Sequence, residues 1–367
     1  RDVAPSRGLG DVYKRQVEEG RMGKKRYGAI DGLRAIACLG IVMMHMKTNN
    51  VYSIDGVVYQ RVITSLTNFV FLFMEISAFG LCCGYFERMI SGKLSLTEFY
   101  KKRLMKTLPF FAVLILLDVA LSGTKRAVYE GFTELTMMFG FLPNAGALSV
   151  IGVGWFIGLV FVFYLCFPFF CTLLEKRKRA WCAFAVSVFL NIACIRQFGV
   201  ERTNMLYSGC FFLAGGMVYL YRDSVAKMNG MLIHAVTLAV IALYLIFWKN
   251  ETSVLNTALY LLVSTVLLMD AVAVPNCCLL NNRITHFFSG ISMEIYLSHM
   301  VVFRVLEKMG MNRMLGNGWT QYAVTVAMVF AGATVYSLIM QRIIGWVETS
   351  FERKTESVKK HENSDGQ

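Results

Sequence analysis

Long apolar stretches alternate with short clusters of charged residues along almost the whole chain. Each stretch runs for about 17 to 25 residues, the length that an α-helix needs to cross the hydrocarbon core of a bilayer. Several stretches are apolar on all sides, unlike the amphipathic helices at the surface of a soluble protein. The pattern predicts ten membrane spans, at about 29–46, 66–86, 108–122, 151–174, 180–198, 204–221, 229–248, 254–275, 284–306 and 320–347.

Composition supports the same architecture. Of the 367 residues, 56% are hydrophobic and 17% are charged, whereas a soluble domain has roughly 25% charged residues. The apolar segment 131–142 is short, so we expect an interfacial or re-entrant helix there rather than a further crossing. The predicted fold class is therefore an all-α, polytopic integral membrane protein with about ten transmembrane helices.

The formal net charge of +13 first suggests nucleic-acid binding. The basic residues, however, flank the apolar spans, where they orient a membrane protein and meet anionic lipid, and we expect no nucleic-acid partner. The connections 87–107 and 175–179 and the tail 348–367 are rich in Lys and Arg, which predicts that both termini are cytoplasmic. The 304–319 connection, with three basic residues, fits this orientation less well.

The sequence predicts that the chain divides into an N-terminal segment, a transmembrane domain and a C-terminal tail. Residues 1–21 have no apolar stretch and look foreign to the rest, so we interpret them as a non-native or disordered segment. Residues 22–348 form the predicted transmembrane domain, and 349–367 form a charged cytoplasmic tail. Most of the ten cysteines lie inside spans, and the adjacent pairs 82–83 and 277–278 lack the spacing of metal sites, so we expect free thiols and no metal.

The first span carries three ionisable side chains, Asp31, Arg34 and His45. At about 100° per residue, Arg34 and His45 differ by about 20° and are separated by roughly 16 Å along the axis, and Asp31 falls about 40° from His45. One stripe of the helix therefore carries a charged pair near the cytoplasmic surface and a deeper imidazole. Such a stripe could hold an anionic donor near Arg34 and a reacting hydroxyl near His45 as general base, but snorkelling and interfacial placement remain open.

Other intramembrane groups are weaker candidates. Glu75 lies in the second span and needs a partner or a proton, and Glu294 and His299 lie in the ninth. His299 could line the same cavity as His45 or sit at the outer interface. The pair Trp155 and Phe156 is more typical of an aromatic belt than of a substrate platform. No phosphate-binding glycine loop, metalloprotease helix or nucleophile elbow occurs.

Five segments, in order, resemble the membrane acyltransferase 3 family of bacterial O-acyltransferases. Residues 30–37 followed by His45 look like its Arg and His separated by ten residues. Residues 73–79, 99–109, 155–168 and 295–299 are similar to its other motifs, over about 27–347 in all. Two positions depart from the pattern: Ala78 replaces a usual Gly, and Lys106 replaces the second Arg of a basic pair.

The resemblance implies transfer of an acyl group, usually acetyl, from cytosolic acyl-coenzyme A to a hydroxyl of a cell-surface glycan or lipid-linked sugar, in a bacterial cytoplasmic membrane. By the same resemblance, Arg34, Arg103 and Lys106 would attract the donor's phosphates. His45 would deprotonate the hydroxyl or transiently carry the acyl group. Asp31, Glu75 and His299 are expected to support catalysis.

Two other functions use similar intramembrane charges. A transporter or flippase of a lipid-linked sugar or small anion is the main alternative, although the two halves show no internal repeat of the kind many transporters have. An inactive membrane sensor or scaffold is the second. The acceptor and the oligomeric state are not predicted.

Overall fold

The computed structural model of the protein describes residues 26–148 and 150–364, and the predicted foreign segment 1–21 lies outside them. The described chain is α-helical and contains no strand. Its α-helices, named α1 to α13 in order, are Gly28–Asn49, Phe69–Ile90, Leu96–Ser122, Lys125–Leu135, Trp155–Leu174, Arg177–Ala193, Met205–Leu220, Arg222–Val225, Gly230–Phe247, Val254–Ala273, Arg283–Gly290, Ser292–Lys308 and Trp319–Ser364.

Eight helical segments in the described residues are long and apolar enough to cross a membrane. They contain α1, α2, α3, α5, α6, α9, α10 and the first part of α13. The apolar helix α7 has 16 residues and is shorter than these. The all-α, polytopic membrane fold predicted from the sequence is confirmed.

The ninth predicted span, 284–306, is wrong as a single helix. It divides into α11 and α12 at Ile291, whose φ of −118° and ψ of 13° lie outside the helical range. At the break the Ser292 hydroxyl donates to the Ser289 carbonyl at 2.9 Å, and at its other end α11 begins with a capping box formed by Asn282 and Thr285. Hydropathy averaged over the whole span does not reveal this bend, although Ser289, Gly290 and Ser292 beside it are residue types at which helices often kink.

The third predicted span also needs correction, because α3 begins at Leu96 rather than at 108. The basic residues between 101 and 106 are good helix formers and continue the helix beyond its apolar part. Their long side chains can reach away from the apolar region while their backbone stays helical. The basic segment is thus a rigid extension of a membrane helix.

The segment between α3 and α5 does not form a long helix. Helix α4 begins after Thr124, whose hydroxyl accepts the Ala127 N–H at 3.1 Å, and the chain then makes short 3₁₀ turns, in accord with the expected absence of a crossing at 131–142. Glu134 on α4 is fully buried and accepts the Ile151 N–H at 3.3 Å. Burial raises the pKa of the Glu134 carboxyl to about 8.

The centre of the bundle is built around α1 and α2. About 61% and 67% of the residues in their apolar segments are buried, against 17% for those of α6 and α9, which therefore present their apolar sides to lipid. Helix α2 packs on α7 and α10, and α1 is surrounded by α2, α10, α11, α12 and α13. The ionisable stripe of the first predicted span therefore lies in the middle of the protein.

Candidate active site

Arg34 and His45 lie on the same side of α1, as their spacing predicted. Arg34 faces Ser289 at the end of α11, and His45 faces His299 on α12. Between them, the Cys38 thiol donates to the Ser292 carbonyl at 3.4 Å. The broken helix pair α11–α12 therefore runs along the ionisable stripe of α1.

Arg34 is held by a small polar network. Its Nη1 donates to Ser289 Oγ at 3.5 Å and lies 3.9 Å from Asp31 Oδ1. The Ser289 hydroxyl donates to the same Asp31 oxygen at 2.8 Å. His286 Nδ1 lies 3.0 Å from the other Asp31 oxygen, and its Nε2 is 2.7 Å from Asn281 Oδ1. Asp31 thus acts on Arg34 mainly by orienting it, since it is shared among several partners.

A cavity of about 280 Å³ lies beside Arg34, and we call it the basic cavity. Helices α1, α2, α3, α5, α11 and α12 contribute to it. Its polar and charged lining residues are Arg34, Ser77, Tyr85, Arg103, Lys106, Thr107, Tyr164, Ser289, Ser292, Glu294 and Tyr296. Three of these residues are cations and one, Glu294, is a carboxylate. Glu294 Oε1 accepts a hydrogen bond from Gln341 Nε2 at 2.8 Å. The cavity has the charge and size to hold a phosphate-bearing part of a ligand.

Arg103 and Lys106 enter the basic cavity from the basic extension of α3. The Arg103 guanidinium donates from Nη2 to Tyr85 Oη at 2.7 Å and lies 5.0 Å from the centroid of that ring. It also lies 5.9 Å from the Tyr164 ring. No carboxylate lies within 4.0 Å of Arg103 or Lys106 among the described residues. Their charges are therefore not neutralised by direct ion pairs within this part of the chain.

His45 and His299 form a pair of imidazoles with ring centroids 5.0 Å apart. His299 is fully buried, and its Nδ1 lies 2.6 Å from the Tyr296 carbonyl oxygen. Because a carbonyl oxygen can only accept, Nδ1 carries the proton and a neutral His299 has its lone pair on Nε2. That Nε2 has no hydrogen-bond partner within the described residues. His299 thus lies buried against His45 and not at an exposed interface.

Aromatic rings connect the two ends of the site. Tyr296 lines the basic cavity, and its ring centroid lies 6.0 Å from that of His299. Phe156, which is buried, also lines the cavity and packs on Tyr296 with centroids 5.4 Å apart. Phe156 therefore belongs to the site, and its interpretation as part of an aromatic belt is wrong. The Tyr296 hydroxyl donates to the Val153 carbonyl at 2.8 Å, which fixes the ring.

Glu75 is fully buried at the contact between α2 and α10. Its Oε1 accepts hydrogen bonds from Ser264 Oγ at 2.6 Å and Thr265 Oγ1 at 3.4 Å. It does not line the basic cavity, which lies on the other side of α2 at Phe73 and Ser77. The structure thus does not bring Glu75 together with Arg34, whereas Arg34, Arg103 and Lys106 all line the basic cavity.

Sequence reasoning missed several polar residues of the site. Tyr85 and Tyr164 are uncharged residues within apolar spans, and Ser289 is a small polar residue of a kind that is common in membrane helices. His286 carried the one usable signal, since it is an ionisable residue near the start of a predicted span. The others depend on which helices become neighbours, which one sequence does not reveal.

The protein is a polytopic helical bundle in which a cationic cavity lies beside Arg34 of α1, and His45 of the same helix pairs with His299 of α12. Residues 27–338 match the model of a family described as an acyltransferase domain, Acyl_transf_3. The chain belongs to this membrane acyltransferase family, and the predicted resemblance is confirmed. The comparisons with curated proteins and with solved structures gave no match.

Proposed function

We propose that this acyltransferase moves an acyl group, most simply acetyl, from acyl-coenzyme A to a hydroxyl of a cell-surface glycan or lipid-linked sugar in a bacterial cytoplasmic membrane. The observation that carries the proposal is the convergence of Arg34, Arg103 and Lys106 on one cavity. Coenzyme A is a polyphosphate ligand, and guanidinium and ammonium groups make charge-assisted hydrogen bonds to phosphate oxygens. The family match favours an acyltransferase over the transporter and scaffold alternatives.

The transfer step uses His45 in one of two ways. As a general base, His45 takes the proton of the acceptor hydroxyl while the hydroxyl oxygen attacks the thioester carbonyl carbon. The C–S bond then breaks, the C–O bond remains, and the thiolate takes up a proton. As an acyl carrier, the His45 nitrogen attacks first, releases the thiol, and passes the acyl group to the hydroxyl in a second step.

His299 supports either route through its unprotonated Nε2. This nitrogen can accept a hydrogen bond from the acceptor hydroxyl or from a protonated His45, because its ring is fixed by the bond from Nδ1 to the Tyr296 carbonyl. Asp31 supports Arg34 through Ser289. Glu75 is assigned no contact with the donor or the acceptor.

The proposal is tested in membranes from a host without related enzymes, supplied with radiolabelled acetyl-coenzyme A. The native chain should label glycan or lipid material, and His45→Ala should abolish the labelling at matched expression. The matched control is His234→Ala. His234 lies on the peripheral helix α9, and its imidazole pairs with Asp270 of α10. Labelling that survives His45→Ala would disprove the role of this residue, and no labelling by the folded native chain would contradict the donor or the activity proposed.

A further inference from the structure

A second cavity, of about 320 Å³, lies beyond the His45 end of the bundle. It is lined by the ends of three helices, α2, α7 and α10, together with the residues just before α2 and α7 and the connection from α9 to α10. Helix α1 ends at Asn49, one turn after His45, on this same side, because successive crossing helices alternate in direction. The basic cavity lies nearer the other end of α1, at Arg34.

The second cavity has an aromatic floor and a polar opening. Phe71, Tyr207, Trp248 and Tyr260 are buried and form apolar walls. The side chains around the opening are polar and exposed, and they come mainly from residues 249–252. Rings that cover an apolar face, surrounded by hydrogen-bonding groups, suit a ligand with a hydrophobic ring face and many hydroxyls.

The polar opening is held in shape by Asn256. This buried side chain donates from Nδ2 to the Lys249 carbonyl at 2.7 Å and to the Glu251 carbonyl. Its Oδ1 accepts the Lys249 N–H at 3.2 Å. Because the backbone of the connection is fixed by these bonds, the opening is preformed and a ligand need not order it.

Arg202 connects the second cavity with the histidine pair. Its Nη1 donates to Thr67 Oγ1 at 3.0 Å, and its guanidinium carbon lies 5.6 Å from the Trp155 ring centroid. Trp155 in turn packs against Phe156, which lines the basic cavity. Phe156 packs on Tyr296, whose ring centroid lies 6.0 Å from that of His299. No carboxylate lies within 4.0 Å of Arg202 in the described residues, so its remaining donors can serve a ligand.

We propose that the second cavity is the acceptor subsite, in which Arg202, the 249–252 opening and the aromatic floor bind one saccharide unit with its reacting hydroxyl directed toward His45. This inference rests on the proposed acyl transfer. Donor and acceptor then occupy separate cavities, and contacts from Arg202 through Trp155 to Phe156 link the second cavity to the basic cavity. Such separation keeps a charged, phosphate-bearing donor away from the saccharide while bringing the thioester and the hydroxyl together.

The test blocks the opening of the second cavity without touching the basic cavity. Thr252→Cys is labelled with a bulky, membrane-impermeant anionic maleimide in membranes that expose this face. Asp55→Cys, at an exposed position outside the cavity on the same face, is the matched control, and the equally treated native chain is the baseline for its own exposed cysteines. Transfer of labelled acetyl groups to a cell-envelope glycan fraction and binding of labelled acetyl-coenzyme A are both measured.

Labelled T252C should lose transfer at least tenfold while it binds the donor as before, and labelled D55C should match the native chain. Arg202→Ala should raise the glycan concentration for half-maximal transfer, whereas Arg196→Ala, which removes an exposed arginine outside the cavity, should not. Full transfer by labelled T252C would overturn the subsite while leaving the acyltransferase proposal intact. Absence of transfer by the untreated native chain would instead contradict the proposed reaction, and the subsite with it.

Discussion

The close contact between α2 and α7 depends on one glycine. A Cβ added at Gly215 would lie 2.8 Å from the Glu75 Cα and closer still to its carbonyl oxygen. Favourable carbon–carbon contacts lie at about 3.5–4.0 Å, so α2 and α7 would have to separate by roughly 1 Å. Because the opposing atoms are backbone, no rotamer change relieves the clash. Gly209 of the same helix has open space around the equivalent position.

Overpacking in Gly215→Ala should therefore cost about 1–3 kcal/mol of stability. A helix-propensity gain of about 1 kcal/mol offsets part of this cost. Gly209→Ala should receive the propensity gain alone and be equal to or more stable than the native chain. The measurement is the melting temperature of detergent-purified protein, read as the monodisperse fraction left after heating. A melting temperature of G215A equal to or above that of G209A would refute the packing argument.

Three further predictions concern charge and hydrogen bonding. Lys106→Ala should raise the KM for acyl-coenzyme A about tenfold or more, because a charge-assisted contact is worth about 1.5–3 kcal/mol. The control Lys101→Ala, on the same helix but outside the basic cavity, should leave the KM unchanged. Equal effects of the two substitutions on the KM would contradict the donor site. Glu134 has a folded-state pKa of about 8 against an ordinary value of 4.5. Its contribution to the free energy of unfolding is therefore fully present below pH 4.5 and declines by about 1.4 kcal/mol per pH unit until the pH reaches about 8. Melting curves from pH 5 to 9 should show Glu134→Gln losing part of the native decline, and an unchanged pH profile would contradict the burial argument. Tyr296→Phe should lower the melting temperature by leaving the Val153 carbonyl without its donor, at a cost of about 1–2 kcal/mol, and an unchanged value would show that this bond contributes nothing.

The membrane fold followed from the sequence because its signal is local. Each span can be detected from its own hydropathy, and the 100° rotation per residue placed Arg34 and His45 on one side of α1 without any knowledge of their neighbours. The break at Ile291 was not predictable in this way. It involves a hydrogen bond from the Ser292 hydroxyl to the Ser289 carbonyl, which the mean hydropathy of the span does not reveal.

The site was only partly predictable for a related reason. Charged residues inside spans are rare, so Arg34 stood out by itself, whereas Arg103 and Lys106, in a basic connection, were singled out by the family resemblance. The sequence did not show that α1 and α3 bring all three to one cavity with uncharged Tyr85 and Tyr164, because that depends on helix packing between distant parts of the chain. Glu75 shows the converse: an intramembrane carboxylate attracted attention, but the structure gives it two hydroxyl partners on α10.

We propose that one chain passes an acyl group from a donor at its Arg103 face to a hydroxyl at its His45 face. The most direct test uses purified protein oriented in liposomes, with labelled acetyl-coenzyme A on one face and a cell-envelope glycan fraction on the other. Transfer should occur when the donor contacts the face bearing Arg103, fail in the reverse arrangement, and fail for His45→Ala in both. Equal transfer from either face, or transfer that does not require His45, would contradict the proposed reaction.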